Sequence, residues 1–141
     1  MPTNYTNYTN YEKSIMENSG LLFKQEVYRV IGAAIEVHKV LGCGFLEPVY
    51  QEALGIEFDL QKIPFTAQVP LKIRYKDQIL EKFYVADFCV FENIIVEIKA
   101  MQQLNSEHIA QVLNYLHATD RKLGILINFG AKSLEWKRII N

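Results

Sequence analysis

Cysteine is scarce in this sequence: 141 residues contain two, Cys43 and Cys89. They sit in unlike surroundings, with no CxxC pair and no Cys/His cluster at zinc spacing. That excludes a disulfide-stapled secreted scaffold and a zinc finger, and it fits a reducing compartment. A basic surplus is also missing. Fifteen Lys and Arg face sixteen Asp and Glu, for a net charge of -1. A strongly basic, dedicated nucleic-acid binder is therefore excluded, although a neutral protein can still carry a positive groove. No apolar run approaches the roughly 18 residues of a membrane span, and the polar, tyrosine-rich start is unlike a signal peptide. The expectation is a soluble, cytoplasmic protein with no membrane partner. Apolar residues are abundant instead: half the chain is hydrophobic and 12% is aromatic. That supplies a core for one domain of ordinary size.

The pattern along the chain sets out the elements. "MPTNYTNYTNYEKSIMENSG" opens on an Asn-Tyr-Thr repeat with no periodicity that would bury a face. Residues 1–20 read as a flexible tail and 21–141 as a single domain. From Phe23 to Leu41, apolar residues including Val27, Val30, Ile31, Ala34 and Ile35 recur at helical spacing, and Gly42 stops that helix. A second helix follows the glycine turn, with Pro48 in its first turn and a predicted buried stripe of Val49, Ala53, Leu54, Ile56 and Leu60. The period then changes to two. "TAQVPLKIRYK", "ILEKFYVADFCV" and "IIVEIKA" read as three successive antiparallel strands with hairpin-sized connections. Asn105 or Ser106 caps a third helix, whose stripe is Ile109, Val112, Leu113 and Leu116. "KLGILINFG" is apolar throughout, as in a strand covered on both faces. "AKSLEWKRII" closes the chain as a further strand or short element. The order ααβββαβ predicts an α/β sandwich with a mixed sheet.

Three charges interrupt the otherwise apolar stretch "ADFCVFENIIVEIKA": Asp87, Glu97 and Lys99. Such residues are almost never fully buried unless paired. Glu97 and Lys99 are two apart on a strand and share a face, with Ile98 pointing into the core. A three-residue turn at Phe91-Glu92-Asn93 pairs position 90 with 94, and so Asp87 with Glu97; a two-residue turn would spoil that match. The first register is expected, because Asn93 tolerates the left-handed conformation such a turn needs. Two carboxylates that close repel unless a proton or cation intervenes. One reading is an ordinary solvated ion trio. The other is a site for Mg2+ or Mn2+, hard ions that take one or two carboxylates plus waters and a phosphate, with Lys99 steadying charge or orienting water. Glu47 opens the second helix, either as a helix-dipole partner or as a third carboxylate. Gln111 and Tyr115 lie one turn apart on the third helix, as a polar flank or as supports for the hairpin and substrate. His38 reads as a partly buried core or cleft histidine. Arg74, Lys76, Lys82, Lys122, Lys132, Lys137 and Arg138 are available for phosphate contacts, and Trp136 for stacking or packing.

"GFLEPVY" also spells Gly-x-x-Glu-x-x-Tyr through Gly44, Glu47 and Tyr50. It is followed in order by "QEAL", "ADFCVFENIIVEIKA", "AQVLNYL", "LGILINFG" and "KRII". From about Glu26 to Ile140 the chain resembles the GxxExxY proteins of the PD-(D/E)XK nuclease superfamily. The resemblance implies a restriction-endonuclease-like α-β-β-β-α-β core, here with an extra N-terminal helix. It implies metal ligands at Asp87 and Glu97 with Glu47 completing the acidic shell, and Lys99 and Gln111 as further catalytic positions. Tyr50, Tyr115 and His38 are expected in support. Ala86 stands where the superfamily's name has proline, a residue that ligates nothing. The implied activity is Mg2+-dependent nuclease action, on DNA rather than RNA, with a homodimer as one route to duplex cleavage. The competing expectation is a non-catalytic protein- or nucleic-acid-binding module on the same scaffold.

Overall fold

The structure, a computed structural model, describes residues 23–141; the tail expected over residues 1–20 lies outside the described residues. Three helices and five strands follow one another: α1 (Lys24–Leu41), α2 (Glu47–Leu60), β1 (Phe65–Tyr75), β2 (Gln78–Val90), β3 (Ile94–Lys99), α3 (Ser106–Ala118), β4 (Leu123–Asn128) and β5 (Glu135–Ile140). The sheet order is β1-β2-β3-β4-β5. Only β3 and β4 run parallel, joined through the α3 crossover; the other three neighbours are antiparallel. The expected mixed α/β sandwich is therefore observed. No described helix is long and apolar enough to cross a membrane.

Each face of the sheet has its own core. Val27, Val30, Ile31, Ala34 and Val37 of α1 pack with Tyr50, Leu54 and Phe58 of α2 over Phe88, Val90, Ile94, Val96, Ile98 and the odd positions of β4. Val112 and Leu116 of α3 cover Leu71, Ala86, Cys89, Ile95, Leu126 and Ile139. All six residues of β4 are buried, as its unbroken apolar run predicts. Pro70 sits on β1, an edge strand, where its missing N–H is tolerated. The helical stripes depart from expectation in places: Ile35 of α1 and Leu113 of α3 are exposed, and α2 departs most. The buried positions of α2 are Tyr50, Leu54 and Phe58, whereas Val49, Ile56 and Leu60 are exposed. Large apolar side chains at i, i+4 and i+8, two of them rings, win the interior because each removes much apolar surface from water.

The segment after β3 is fastened from β4. Asn128 is the buried polar side chain of this core. Its Oδ1 accepts from the N–H groups of Met101 and Gly130, both at 3.0 Å, and its Nδ2 donates to Met101 O at 3.0 Å. Phe129 N–H donates to Lys99 O at 2.9 Å. Gly130 is confined to glycine here, because a Cβ would collide with the backbone of Met101. The outcome is a fixed exit for the chain immediately after Lys99. Asn128→Ala strips three partly buried backbone groups of their partner. We expect a loss of about 3 kcal/mol, read as a lower urea midpoint at unchanged m-value. An unchanged midpoint would mean that water replaces the side chain without cost.

Candidate metal centre at the end of the β2–β3 ladder

The register around the β2–β3 turn decides which side chains meet. Val90 pairs with Ile94, Cys89 with Ile95 and Phe88 with Val96, across a three-residue turn. This is the expected register, but its stated cause needs correcting. The left-handed residues are Phe91 (φ 51°) and Glu92 (φ 64°), not Asn93. Tertiary contacts hold Phe91 there: its N–H donates to Pro64 O at 2.9 Å, and the Arg29 guanidinium lies 5.4 Å from its ring centre. Asn93 braces the turn from its end, its Nδ2 donating to Phe91 O at 3.0 Å.

Beyond Phe88 and Val96 the ladder changes character. Asp87 N–H donates to Glu97 Oε1 at 3.0 Å, and Ile98 N–H donates to Asp87 Oδ2 at 2.8 Å. Each strand thus offers a backbone donor to the other strand's carboxylate where a ladder carbonyl would normally accept. The two acids are locked side by side, each half-buried. Burial, and then the charge of Asp87, push the Glu97 carboxyl from 4.5 up to about 7; the Tyr84 hydroxyl, the Asp87 N–H and Lys99 pull it back only in part. Asp87 is also raised, first by burial, against the opposing pull of the Ile98 N–H. Lys99 lowers both groups, yet both carboxyls still stand above their ordinary range. A self-satisfied ion trio is thus not what forms. The pair stays electrostatically frustrated, the condition that a divalent cation relieves.

Glu47 is the first residue of α2 and is exposed. It bears on Asp87 through its charge alone, and among the described residues no three of His, Cys, Asp and Glu form a preassembled metal cage. The donor set still suits magnesium, which commonly uses only one or two carboxylates and keeps its waters. One oxygen of each acid takes a backbone donor, leaving Asp87 Oδ1 and Glu97 Oε2 without one.

Tyr50 lies apart from the carboxylates and works on the loop before Glu47. It is fully buried, with its ring stacked 4.8 Å from that of Phe129. Its hydroxyl donates to Gly42 O at 2.6 Å and accepts from Phe45 N–H at 3.2 Å. Gly44 turns the loop at φ 115°, a conformation that other residues avoid. The Gly-x-x-Glu-x-x-Tyr spacing therefore has a local mechanical reason: glycine bends, tyrosine ties, and glutamate is presented at the helix start. His38 makes a neighbouring tie, its Nε2–H donating to Ala131 O at 2.9 Å.

From α3, the exposed Gln111 donates through Nε2 to Tyr115 Oη at 3.3 Å. The Tyr115 ring stacks on Tyr84, 3.6 Å between centres and within 9° of parallel. The buried Tyr84 hydroxyl has no hydrogen bond of good geometry, but it leans on Glu97 closely enough to lower that acid's pKa. Gln111 thus reaches the carboxylates through two stacked tyrosines. Tyr84 escaped the sequence reading because strict alternation puts residues 84 and 87 on opposite faces. In the structure Tyr84 packs with Ala86 and Cys89 on the α3 face, so β2 breaks its alternation beside Asp87.

Two expectations follow. In EDTA, folded Glu97 holds its proton up to about 7 while the unfolded chain releases it near 4.5. The folded state therefore binds more protons across that window, and stability falls as pH rises through it, then levels off. Melting temperature against pH should show this descent, and Glu97→Gln should flatten it; a wild-type curve rising over the same window contradicts the frustrated pair. Tyr50→Phe should cost about 1–2 kcal/mol in denaturant unfolding, while leaving the Glu97 titration in place.

A family model described as the PD-(D/E)XK nuclease superfamily matches residues 24–139. No curated protein matches the chain. Among solved structures, the crystal structure of SSO0001 is similar with a TM-score of 0.53 at 17% sequence identity, over 67% of this chain and 49% of that one. At that identity the likeness speaks for the fold alone, and this chain spans about half the length of that structure. The match across nearly all of the described fold, on a sheet carrying Asp87 and Glu97 side by side, places the chain in the PD-(D/E)XK nuclease superfamily.

Proposed function

We propose that this chain is a metal-dependent nuclease of the GxxExxY type, hydrolysing phosphodiester bonds in the cytoplasm with Mg2+ or Mn2+, on DNA in preference to RNA. Superfamily membership supports nuclease chemistry. The observation that carries the reading is the exchange between Asp87 and Glu97, which fixes two partly desolvated carboxyls at hydrogen-bond precision and raises both above their ordinary range. Asp87 and Glu97 would hold the cation, with Glu47 joining through a water from the start of α2. When bound, such a cation neutralises phosphate charge and makes water more acidic. Lys99, half-buried beside the pair, orients the attacking water and steadies charge on the non-bridging phosphate oxygens. Water adds to phosphorus, one ester P–O bond breaks, and the departing oxygen takes a proton. The products are one phosphate-bearing end and one hydroxyl end. Gln111, through Tyr115 and Tyr84, keeps Glu97 in place, and two copies of the chain would supply one cut per strand of a duplex.

A second reading, a non-catalytic binding module, draws on one observation: Glu47 is exposed and no three-ligand cage is preassembled among the described residues. Cleavage decides between them. Labelled single- and double-stranded DNA and RNA are incubated with the full chain and Mg2+ or Mn2+. Cutting should stop in EDTA and fall by about a hundredfold or more in Glu97→Ala and in Lys99→Ala. Absence of cutting by folded wild-type protein, across all four substrates and both metals, leaves the module reading.

A further inference from the structure

The long β1–β2 hairpin does more than carry Asp87. Two of its partner pairs, Lys72↔Phe83 and Arg74↔Ile79, leave one residue between them on β1 but three on β2. Such a bulge bends and twists a hairpin. The bent arm meets the C-terminal end of α3, and the two enclose a cleft of about 580 Å3. Lys72 and Arg74 line it from β1 and Lys76 from the turn that follows, with His117 from α3 and Asp120 from just beyond that helix. Three permanent cations thus face a single carboxylate.

The α3 end adds less negative potential than a bare helix terminus. Leu116 O accepts from Arg121 N–H at 2.8 Å, and Tyr115 O accepts from Thr119 N–H at 3.0 Å and from Thr119 Oγ1 at 2.6 Å. Those carbonyls are therefore already satisfied. Lys82, Lys122, Lys132 and Lys137, grouped with these cations on sequence grounds, do not line the cleft. Apolar rings stand exposed on the same arm: Tyr75 is 60% and Phe83 57% accessible. The Lys76 ammonium lies 5.5 Å from the Tyr75 ring centre. Cations set beside exposed aromatic rings suit a strand whose phosphates meet the charges and whose bases stack on the rings; a purely acidic chain such as polyglutamate gains nothing from the rings. The arm is also continuous with the carboxylates, because β2 runs from Ile79 through Phe83 and Tyr84 to Asp87.

We infer that this cleft is a binding site for the phosphodiester backbone of a single nucleic-acid strand, holding the substrate at a distance from the bond that is cut. The inference rests on the nuclease reading and extends it to a substrate-holding surface. The site acts on affinity, not on the chemical step.

The test is fluorescence anisotropy with a fluorescein-labelled, mixed-sequence single-stranded DNA in EDTA, titrated across a salt series with the full chain. Lys72→Ala/Arg74→Ala/Lys76→Ala is compared with Lys24→Ala/Lys39→Ala/Lys132→Ala, which removes the same charge elsewhere. All six side chains are exposed, so both variants should keep the wild-type melting temperature. The cleft variant should lose about tenfold or more in affinity, and its log–log salt slope should shrink by about two; the control should keep the wild-type slope. Tyr75→Ala/Phe83→Ala should weaken single-stranded binding more than duplex binding. Equal behaviour of the two triple variants overturns the inference, as does displacement of the DNA by polyglutamate at matched charge. If the wild-type chain cleaves while the cleft variant binds unchanged, the cleft alone falls. If the wild-type chain neither binds nor cleaves, the nuclease reading falls with it.

Discussion

Two crossed hydrogen bonds organise this molecule. Asp87 gives its N–H to Glu97, and Ile98 gives its N–H to Asp87, at the point where β2 and β3 stop pairing as a regular ladder. A continued ladder would have satisfied the same backbone donors with carbonyls and needed no charge. The substitution brings two acids out of bulk water and next to each other, and burial dominates the upward shift of both. Such an arrangement costs stability and gains nothing in an isolated domain. It becomes favourable once a cation shares the charge.

The rest of the fold holds that place steady. The α1–α2 layer packs on one face of the sheet and fixes β3 through Ile94, Val96 and Ile98. Tyr50 and His38 tie the ends of α1 and the loops beside it, so that Glu47 starts α2 at a defined position. Asn128 fastens the chain just after Lys99. On the other face, the Tyr84–Tyr115 stack joins α3 to Glu97. The parts nearest the carboxylates are thus rigid ring stacks and backbone bonds, which suits a site whose work is positioning.

Much of this was legible in the residues, for physical reasons. The shift from helical to alternating periodicity, the capping asparagine at residue 105 and the apolar run of β4 each reflect a local rule, and each element appears where that rule puts it. The Asp87–Glu97 proximity followed from counting residues across a three-residue turn. What the sequence hid depends on departures from regularity. Phe91 and Glu92 take left-handed angles because Pro64 and Arg29, far away in sequence, hold Phe91. Tyr84 joins the acids only because β2 breaks its alternation near Asp87. Leu113 and Ile56 satisfied a helical stripe yet remain exposed, since the faces they occupy meet no neighbour. Gln111 was singled out, but its route through two aromatic rings is a tertiary fact that no spacing encodes.

The central claim is that Asp87 and Glu97 are held together in order to take a divalent cation. Isothermal titration of Mn2+ into the metal-free full chain near neutral pH, repeated in buffers of different ionisation enthalpy, tests it most directly. The account predicts binding that is lost in Asp87→Asn and in Glu97→Gln. It also predicts proton release on binding, visible as a buffer-dependent enthalpy, because Glu97 titrates at about 7 in the metal-free fold. Absence of binding, or binding that survives both substitutions, would contradict it.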